Sequence, residues 1–248
     1  MTGKLYGVGV GPGDPGFLTY RAGSVLEEAD VICPAAAAGD KESLALKIAG
    51  EAVDISGEVE KLIFPMTSDK EEKKRAWKRT GERVIAHLKK ARDVAFITLG
   101  DPLLYSTYIY LLEEIKDRNR SYPVETVPGV TAVTGCGSSL NLPLVRGEER
   151  MAVVPAPPSD TGGFREELKG ILAEFEAVVI LKPSRRFEEL KEILQDLDLL
   201  SKAVLISRSG RSKESIAADR DLLDKEKIDY LSTLIITKNC RDFVEKGD

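Results

Sequence analysis

Histidine and cysteine are scarce in this chain of 248 residues, and their scarcity limits the chemistry that a site could use. The single histidine, His87, lies in a predicted helix away in sequence from the glycine-rich turns, which disfavours it as a catalytic base. Cys33, Cys136 and Cys240 are far apart and show neither Cys-x-x-Cys spacing nor a histidine partner that would indicate a metal site. We therefore expect free thiols in a reducing cytoplasm and no bound metal.

The chain also lacks a positive net charge and a long apolar run. Its formal charge of −5 disfavours nonspecific binding to nucleic acid or acidic lipid, although a local basic pocket remains compatible with it. No run approaches the roughly 18 apolar residues of a membrane span, and Met1 leads into a strand-like segment without an apolar signal region. We expect a cytoplasmic protein without nucleic-acid or membrane partners.

Strand-like and helix-like segments alternate through the first half of the chain. The strand-like runs lie at residues 4–10, 31–33, 61–64 and 94–99, and the helix-like segments at residues 19–29, 43–49, 69–92 and 105–116. Such βαβ alternation is typical of a mainly parallel sheet covered by helices. Residues 94–99 are apolar and rich in β-branched side chains, which predicts a strand buried on both faces.

In the second half, strand-like runs outnumber helices and come closer together, which predicts a mixed sheet. The runs lie at residues 124–127, 151–154, 177–181, 203–207, 215–218 and 231–237, and the helices at residues 131–139, 164–175 and 187–194. The polar residues 117–123 break both periodicities and mark a boundary. We therefore predict two α/β domains, residues 1–118 and 124–248.

The predicted helix at residues 131–139 is unusually rich in small residues. Gly135 and Gly137 would each weaken an isolated helix by about 1 kcal/mol. Close packing or a bound ligand must offset that cost, and the composition alone does not choose between the two.

Three predicted strands end in glycine-containing turns. Their sequences are Gly-Val-Gly-Pro-Gly-Asp-Pro at residues 9–15, Leu-Gly-Asp-Pro at residues 99–102 and Val-Pro-Gly-Val-Thr-Ala at residues 127–132. The first is not a dinucleotide fingerprint, because Pro12 or Asp14 falls where the third glycine belongs. Turn chemistry alone could explain each segment. Because ligands of open α/β sheets bind outside the carboxyl ends of the strands, we predict a ligand site at these turns.

Taken together, in this order and spacing, the three turns resemble those of the tetrapyrrole methylase superfamily, whose members use S-adenosylmethionine (SAM) to methylate uroporphyrinogen and corrin precursors. The resemblance extends over residues 5–238. It implies two α/β domains, a SAM-binding trough between them, and a homodimer. The matching motifs imply that SAM contacts Pro12, Gly100, Asp101, Leu104, Thr131, Ala132 and Lys182.

Within the superfamily, the chain is most similar to the enzymes that methylate the meso carbon 20 of precorrin-2 or cobalt-factor II in cobalamin biosynthesis. The similarity lies in residues 3–15, 64–66, 99–108, 142–144 and 148–150, whereas residues 156–163 do not match and residues 183–186 form an unusual turn. The alternatives are methylation of another corrin carbon, of a modified protein histidine or of ribosomal RNA, the last disfavoured by the net acidity. A catalytically silent SAM-binding module is a further alternative, which the intact glycines disfavour.

The resemblance also implies how the reaction proceeds. SAM carries a leaving group already activated by its sulfonium charge, so the protein's main task is to align the methyl group with the nucleophilic meso carbon. A base could then remove the meso proton, and Tyr105, Asp14 or a pyrrole nitrogen of the substrate are candidates.

The carboxylates of a tetrapyrrole call for arginines, and the second-half loops supply them, although surface arginines are commonly just solvated. We single out Arg146 and Arg150, whose replacement should raise the apparent KM for tetrapyrrole without changing SAM affinity. The other candidates are Arg185, Arg186, Arg208 and Arg211.

Overall fold

The computed structural model describes residues 1–37, 42–65, 67, 69–119, 121–158, 161–238 and 240. The chain divides into two compact units, Met1–Thr131 and Ala132–Asp248. The strand at Val124–Val127, which we expected to open the second half, belongs instead to the first unit. Its backbone pairs in parallel with residues 5–8. The polar segment that precedes this strand in sequence therefore does not mark the boundary between the two units.

The first unit is built on a parallel sheet. Its strands are β1 (Leu5–Gly9), β2 (Val31–Ala37), β3 (Glu58–Val59), β4 (Leu62–Phe64), β5 (Val94–Thr98) and β6 (Val124–Val127). Their order is β3-β2-β5-β1-β6, with β4 also paired to β2, and all of these pairs are parallel, as the alternation predicted. The sequence pattern missed β3 because its two residues are both exposed.

In the described part of this unit, four α-helices cover the sheet: α1 (Tyr20–Glu28), α2 (Leu44–Ala52), α3 (Lys70–Leu88) and α4 (Tyr108–Arg118). The side chains of Thr19, Ser43 and Asp69 accept hydrogen bonds from backbone N–H groups at the starts of α1, α2 and α3. Helix α4 begins three residues later than the apolar pattern predicted. Tyr105 has a φ of 54°, a left-handed conformation that cannot belong to a right-handed helix.

Apolar side chains alternate between the two faces of the parallel sheet, so each face has its own core. Leu5 and Phe96 pack with α3 and α4 on one face, whereas Val8 and Ile97 pack with α1 and α2 on the other. All five residues of β5 are buried, as predicted for a strand covered on both faces.

The second unit contains a mixed sheet, as predicted. Its strands are β7 (Met151–Pro155), β8 (Ala177–Leu181), β9 (Ala203–Ser207), β10 (Ser215–Ala218) and β11 (Ser232–Thr237), in the order β10-β9-β11-β8-β7. Strands β7 and β8 are parallel, and the other neighbouring pairs are antiparallel. Helices α6 (Phe164–Glu174) and α7 (Phe187–Asp196) cover one face and α5 (Ala132–Ser139) the other.

Close packing accounts for one of the glycines in α5. A Cβ atom on Gly137 would lie 3.3 Å from both the Leu142 carbonyl oxygen and the Leu144 side chain, tighter than most side chains tolerate. The Gly137 carbonyl also accepts a hydrogen bond from the Leu142 amide at 2.9 Å. The helix is therefore held closely by the segment that follows it. Across the described residues of both units, no helix combines the length and the apolar character that crossing a membrane requires.

Candidate ligand site at the strand ends

The carboxyl ends of β5, β1 and β6 lie side by side in the first unit, which brings the predicted glycine turns together. Gly9 is in register with Thr98, and Val8 with Val127. Beyond the strands, the Val10 amide donates to the Thr98 carbonyl at 3.0 Å. The Gly100 amide donates to the Gly11 carbonyl at 2.8 Å, so the turn after β1 is joined to the turn after β5.

Gly9, Gly100 and Gly129 are in direct backbone contact. A Cβ atom on Gly9 would lie 2.4 Å from the Gly100 carbonyl oxygen, and one on Gly129 would lie 2.2 Å from the same oxygen. Gly100 itself has a φ of 65°, which also favours glycine. Neither Gly9 nor Gly129 can therefore carry a side chain unless the backbone moves. The glycines do more than form turns, because they allow three strand ends to approach within backbone contact.

Asp101 connects two of these turns through its carboxylate. Its Oδ1 atom accepts a hydrogen bond from the Leu103 amide at 2.8 Å, within its own turn. Its Oδ2 atom accepts one from the Gly129 amide at 3.1 Å, in the turn after β6. The sequence motif identified Asp101, but the bond to Gly129 spans 28 positions and has no local sequence signal.

The segment after Asp101 presents apolar side chains at the strand ends. Leu103, Leu104 and Tyr105 are 54%, 39% and 43% exposed, respectively. The next residue, Ser106, is buried and donates a hydrogen bond to the Thr98 hydroxyl at 3.1 Å. An exposed apolar strip with a left-handed residue is typical of a ligand-binding loop, because folding alone does not favour either property.

The side chain of Tyr108, which follows this segment, packs against strands β1 and β6 of the sheet. Its ring lies over Gly7, where a Cβ atom would come within 2.1 Å of the ring, and its hydroxyl is 3.2 Å from the Thr126 hydroxyl. Burial raises the pKa of Tyr108, which keeps the phenol neutral. Sequence reasoning missed this contact, although a glycine inside a strand is a recognised sign of close approach.

The remaining predicted residues of the first unit occupy the same set of turns. Pro12 and Thr131 are half-buried in the segments after β1 and β6. The Asp14 carboxylate accepts a hydrogen bond from the Gly16 amide at 2.8 Å, so one of its oxygen atoms serves the local turn.

Two predicted cofactor contacts lie in the second unit. Ala132 is the first residue of α5. Lys182 follows the carboxyl end of β8 in a left-handed conformation with a φ of 57°. Burial of its ammonium group lowers the pKa of Lys182, and repulsion by the nearby Arg185 lowers it further.

Arg150 and Lys182 lie at opposite ends of the parallel strands β7 and β8. Arg150 precedes β7, where its guanidinium donates to the Glu174 carbonyl at 2.6 Å and lies 5.4 Å from the centre of the Phe175 ring. It also forms an ion pair with the Glu174 carboxylate at 3.4 Å. Arg146 is exposed, and its amide donates to Glu149 at 2.9 Å. The structure therefore does not gather Arg150 and Lys182 at one strand end.

Two of the other candidate arginines have acidic partners within their own unit. Arg186 pairs with Glu189 at 2.7 Å and also donates to the Thr161 carbonyl. Arg208 pairs with Asp229 at 2.6 Å. These contacts give both side chains a structural role in the second unit.

Histidine and cysteine do not contribute to the strand-end site. His87 contacts Glu60 at 2.5 Å and Arg92 at 3.2 Å, which ties the end of α3 to the segment between β3 and β4. The three cysteines are buried, and burial raises the pKa of Cys33 to about 12 and that of Cys240 to about 11. In the part of the chain that the structure describes, no cluster of three or more His, Cys, Asp or Glu side chains could hold a metal ion.

Comparisons with known proteins find similar sequences over most of the chain. The family model for Tetrapyrrole (Corrin/Porphyrin) Methylases matches residues 4–220. A probable cobalt-precorrin-2 C(20)-methyltransferase from Methanocaldococcus jannaschii is 34% identical over 95% of this chain and 96% of its own length. A precorrin-2 C(20)-methyltransferase from a Sinorhizobium species is 33% identical over 94% of this chain and 95% of its own.

A solved structure shares the fold. The uroporphyrin-III C-methyltransferase of Thermus thermophilus, complexed with S-adenyl homocysteine, aligns with a TM-score of 0.69 over 98% of this chain and 96% of its own. At 23% identity, this similarity is evidence for the fold alone.

Proposed function

Because the chain belongs to the tetrapyrrole (corrin/porphyrin) methylase family, we propose that it is a SAM-dependent methyltransferase acting on carbon 20 of precorrin-2 or its cobalt form. The observation that carries this proposal is the 34% and 33% identity, over nearly whole chains, to relatives named for that reaction. We further propose that the enzyme is a cytoplasmic homodimer, as the family resemblance implies; light scattering of the purified protein tests its oligomeric state.

The strand-end turns of the first unit fit a nucleoside-containing cofactor. The glycine contacts remove side chains from the turns, so that backbone groups can approach a ligand, and Leu104 offers exposed apolar surface beside them. A structural neighbour of the same fold was crystallised with S-adenyl homocysteine. The proposed contacts are Pro12, Gly100, Asp101, Leu104 and Thr131 in the first unit and Ala132 and Lys182 in the second.

In the proposed mechanism, the main task of the protein is to align the methyl group of SAM with the meso carbon of the substrate. When bound, SAM supplies a methyl group whose leaving group is activated by the sulfonium charge. The backbone contacts among Gly9, Gly100 and Gly129 hold the turns rigidly, and rigid positioning at near-attack distance can supply a large part of a rate enhancement. For removal of the meso proton, the proposed acceptors on the protein are the Tyr105 hydroxyl and the Asp14 carboxylate, with a substrate pyrrole nitrogen as the alternative.

The function is tested by incubating the purified protein with methyl-labelled SAM and reduced precorrin-2, with and without cobalt in the macrocycle. We expect a mass gain of one methyl group and an NMR signal that places the label on carbon 20. A label on another carbon would indicate a different member of the family. Binding of SAM without transfer to either macrocycle would indicate a silent SAM-binding module. The relative rates with the two macrocycles identify the preferred form.

A further inference from the structure

We propose that a basic cavity in the second unit is a binding site for a small oxyanion, that is, a phosphate or carboxylate group. The cavity has a volume of about 140 Å³ and lies between β9, β10 and the segment that leads into β11. Its cationic lining consists of Arg208, Lys213, Lys225 and Lys227. The inference does not rest on the proposed function, because none of the residues proposed to contact SAM lines this cavity.

The cations of this cavity outnumber its carboxylates. Among the residues that line it, all within the described part of the chain, Asp229 is the only acidic one. Its Oδ1 atom accepts from the Leu231 amide at 2.8 Å, and its Oδ2 atom accepts from Nε of Arg208 at 2.6 Å. Asp229 therefore compensates the charge of Arg208, and the charges of three lysines remain. A cleft lined by one sign of charge attracts ions of the other sign, which here means an anion.

The three lysines have no acidic partners of their own. Among the described residues, Lys213, Lys225 and Lys227 form no ion pair, whereas the neighbouring Lys191 pairs with Glu188 at 2.9 Å. Lys191 also donates to the Lys225 carbonyl at 2.9 Å, which ties the segment carrying Lys225 and Lys227 to α7. The lysine charges are thus available to a ligand, and two of them lie on a segment whose backbone is anchored.

Arg208 is held in a way that leaves donors for a ligand. It follows β9 in a left-handed conformation with a φ of 55°, and its amide donates to the Leu231 carbonyl at 2.8 Å. Such strained residues cluster at ligand sites. Its Nε atom is bonded to Asp229, but in the region that the structure describes no acceptor bonds Nη1 or Nη2. The planar guanidinium can therefore donate two parallel N–H groups to a phosphate or a carboxylate.

The size and the walls of the cavity suit a single charged group. Leu205, Ala217 and Ile228 contribute apolar wall, which strengthens the attraction between the cations and an anion. A cavity needs about 10 to 15 Å³ to hold one water molecule. The space of about 140 Å³ therefore accommodates one phosphate or carboxylate group, and the rest of any larger molecule must lie outside it.

The first test measures binding of inorganic phosphate to the purified protein by NMR titration, with chloride added to keep the ionic strength constant. We expect saturable shifts that are largest among residues 205–229. The K213Q/K227Q variant should bind phosphate about tenfold more weakly, as the loss of a charge-assisted hydrogen bond predicts. Both lysines are exposed, so we expect the variant to fold, and circular dichroism checks this.

The K74Q/K78Q variant is the matched control, because it removes the same number of charges from exposed positions of α3. We expect it to bind phosphate as wild type does. An equal loss of affinity in K74Q/K78Q and K213Q/K227Q would overturn the inference, because net charge and not the cavity would then explain binding.

The R208K variant tests the guanidinium. Lysine keeps the positive charge but loses the planar pair of donors and the Nε bond to Asp229. We expect phosphate affinity to fall about tenfold in R208K. An unchanged affinity in folded R208K would overturn the inference, as would an unchanged affinity in K213Q/K227Q.

The last test distinguishes the two sources of an oxyanion by titrating the phosphate-bound protein with uroporphyrin III, a stable tetrapyrrole that carries carboxylate side chains. Displacement of phosphate, together with weaker uroporphyrin binding in K213Q/K227Q, would assign the cavity to a tetrapyrrole carboxylate. Phosphate binding that uroporphyrin does not affect would assign it to free phosphate or a phosphorylated molecule. Wild-type protein that binds neither probe saturably would overturn the inference. Failure of methyl transfer would overturn the proposed function alone, because these measurements require no turnover.

Discussion

In the first unit, three neighbouring strands end in turns that touch through backbone atoms, whereas in the second unit the loops carry arginines that are paired within the fold. Gly9, Gly100 and Gly129 represent the first arrangement. The pairs Arg150–Glu174 and Arg208–Asp229 represent the second. The two regions thus differ in whether backbone or side chains organise the strand ends.

Strand direction accounts for part of this difference. Parallel strands place all of their carboxyl ends at one edge, so the turns after β1, β5 and β6 converge there. In the mixed sheet, β8 and β9 are both antiparallel to β11, so consecutive loops are distributed between two edges. A convergent edge favours one composite ligand site, so substitutions in the first-unit turns should affect ligand binding more than substitutions of the second-unit arginines.

The largest effect is expected for Gly129→Ala. Its Cβ atom would lie 2.2 Å from the Gly100 carbonyl oxygen, so the turn must shift. We expect binding of S-adenosylhomocysteine to weaken by about 100-fold or more and methyl transfer to be lost. Gly170→Ala in α6 is the control, because open space surrounds Gly170 and alanine should stabilise that helix by up to about 1 kcal/mol without affecting binding. Wild-type affinity in a folded Gly129→Ala variant would contradict the prediction.

The next effect is expected for Tyr105→Phe, which removes a proposed proton acceptor and keeps the exposed ring. General bases typically contribute at least about 100-fold, so we expect kcat to fall by that factor while SAM affinity is maintained. Tyr110→Phe serves as the control, because Tyr110 is similarly exposed but its ring stacks on that of Trp77, with 4.2 Å between the ring centroids. An unchanged kcat for Tyr105→Phe would leave Asp14 or a pyrrole nitrogen as the acceptor.

Substitutions of the second-unit arginines are expected to act on substrate affinity. We predict that Arg146→Ala and Arg150→Ala each raise the apparent KM for tetrapyrrole by several-fold, because each removes a candidate charge-assisted contact to a substrate carboxylate. SAM affinity should stay the same in both variants. Arg165→Ala, which removes two ion pairs between α6 and α7, should leave KM unchanged. If neither Arg146→Ala nor Arg150→Ala alters KM, these arginines lie outside the substrate site.

The smallest effect is expected for Glu125→Gln in the first unit, which should change how Tm depends on pH in acid. Hydrogen bonds from Lys4 and Arg21 lower the pKa of Glu125 below its ordinary value of 4.5. The folded state gains this stabilisation above pH 4.5 and loses it as the pH falls through the lowered pKa. We therefore expect Glu125→Gln to reduce Tm slightly at pH 7 and to flatten the decline of Tm in acid, as measured by calorimetry.

Glu27→Gln, on the exposed surface of α1, is the control for this measurement. Identical acid profiles for wild type and Glu125→Gln would show that the Glu125 ion pairs contribute nothing measurable, as is common for exposed pairs. Molar salt should also diminish any difference between them.

Local sequence patterns were sufficient to predict most of the elements and the three glycine-containing turns that follow strands. Apolar runs located the buried strands, Thr19 marked the start of α1, and glycines followed β1, β5 and β6. These features depend on the backbone preferences and apolar periodicity of neighbouring residues, which a single sequence displays. The family motifs then identified Asp101 and the residues around it.

Only the tertiary structure decided which of these groups meet. Strand β6 pairs with β1 in the first sheet and does not open the second half. The ring of Tyr108 packs against Gly7. The bond between Asp101 and the Gly129 amide arises in the same way. Each contact joins residues far apart in the chain, so it depends on strand pairing and helix packing across the sheet. Local preferences cannot encode that pairing, because they are set by neighbouring residues alone.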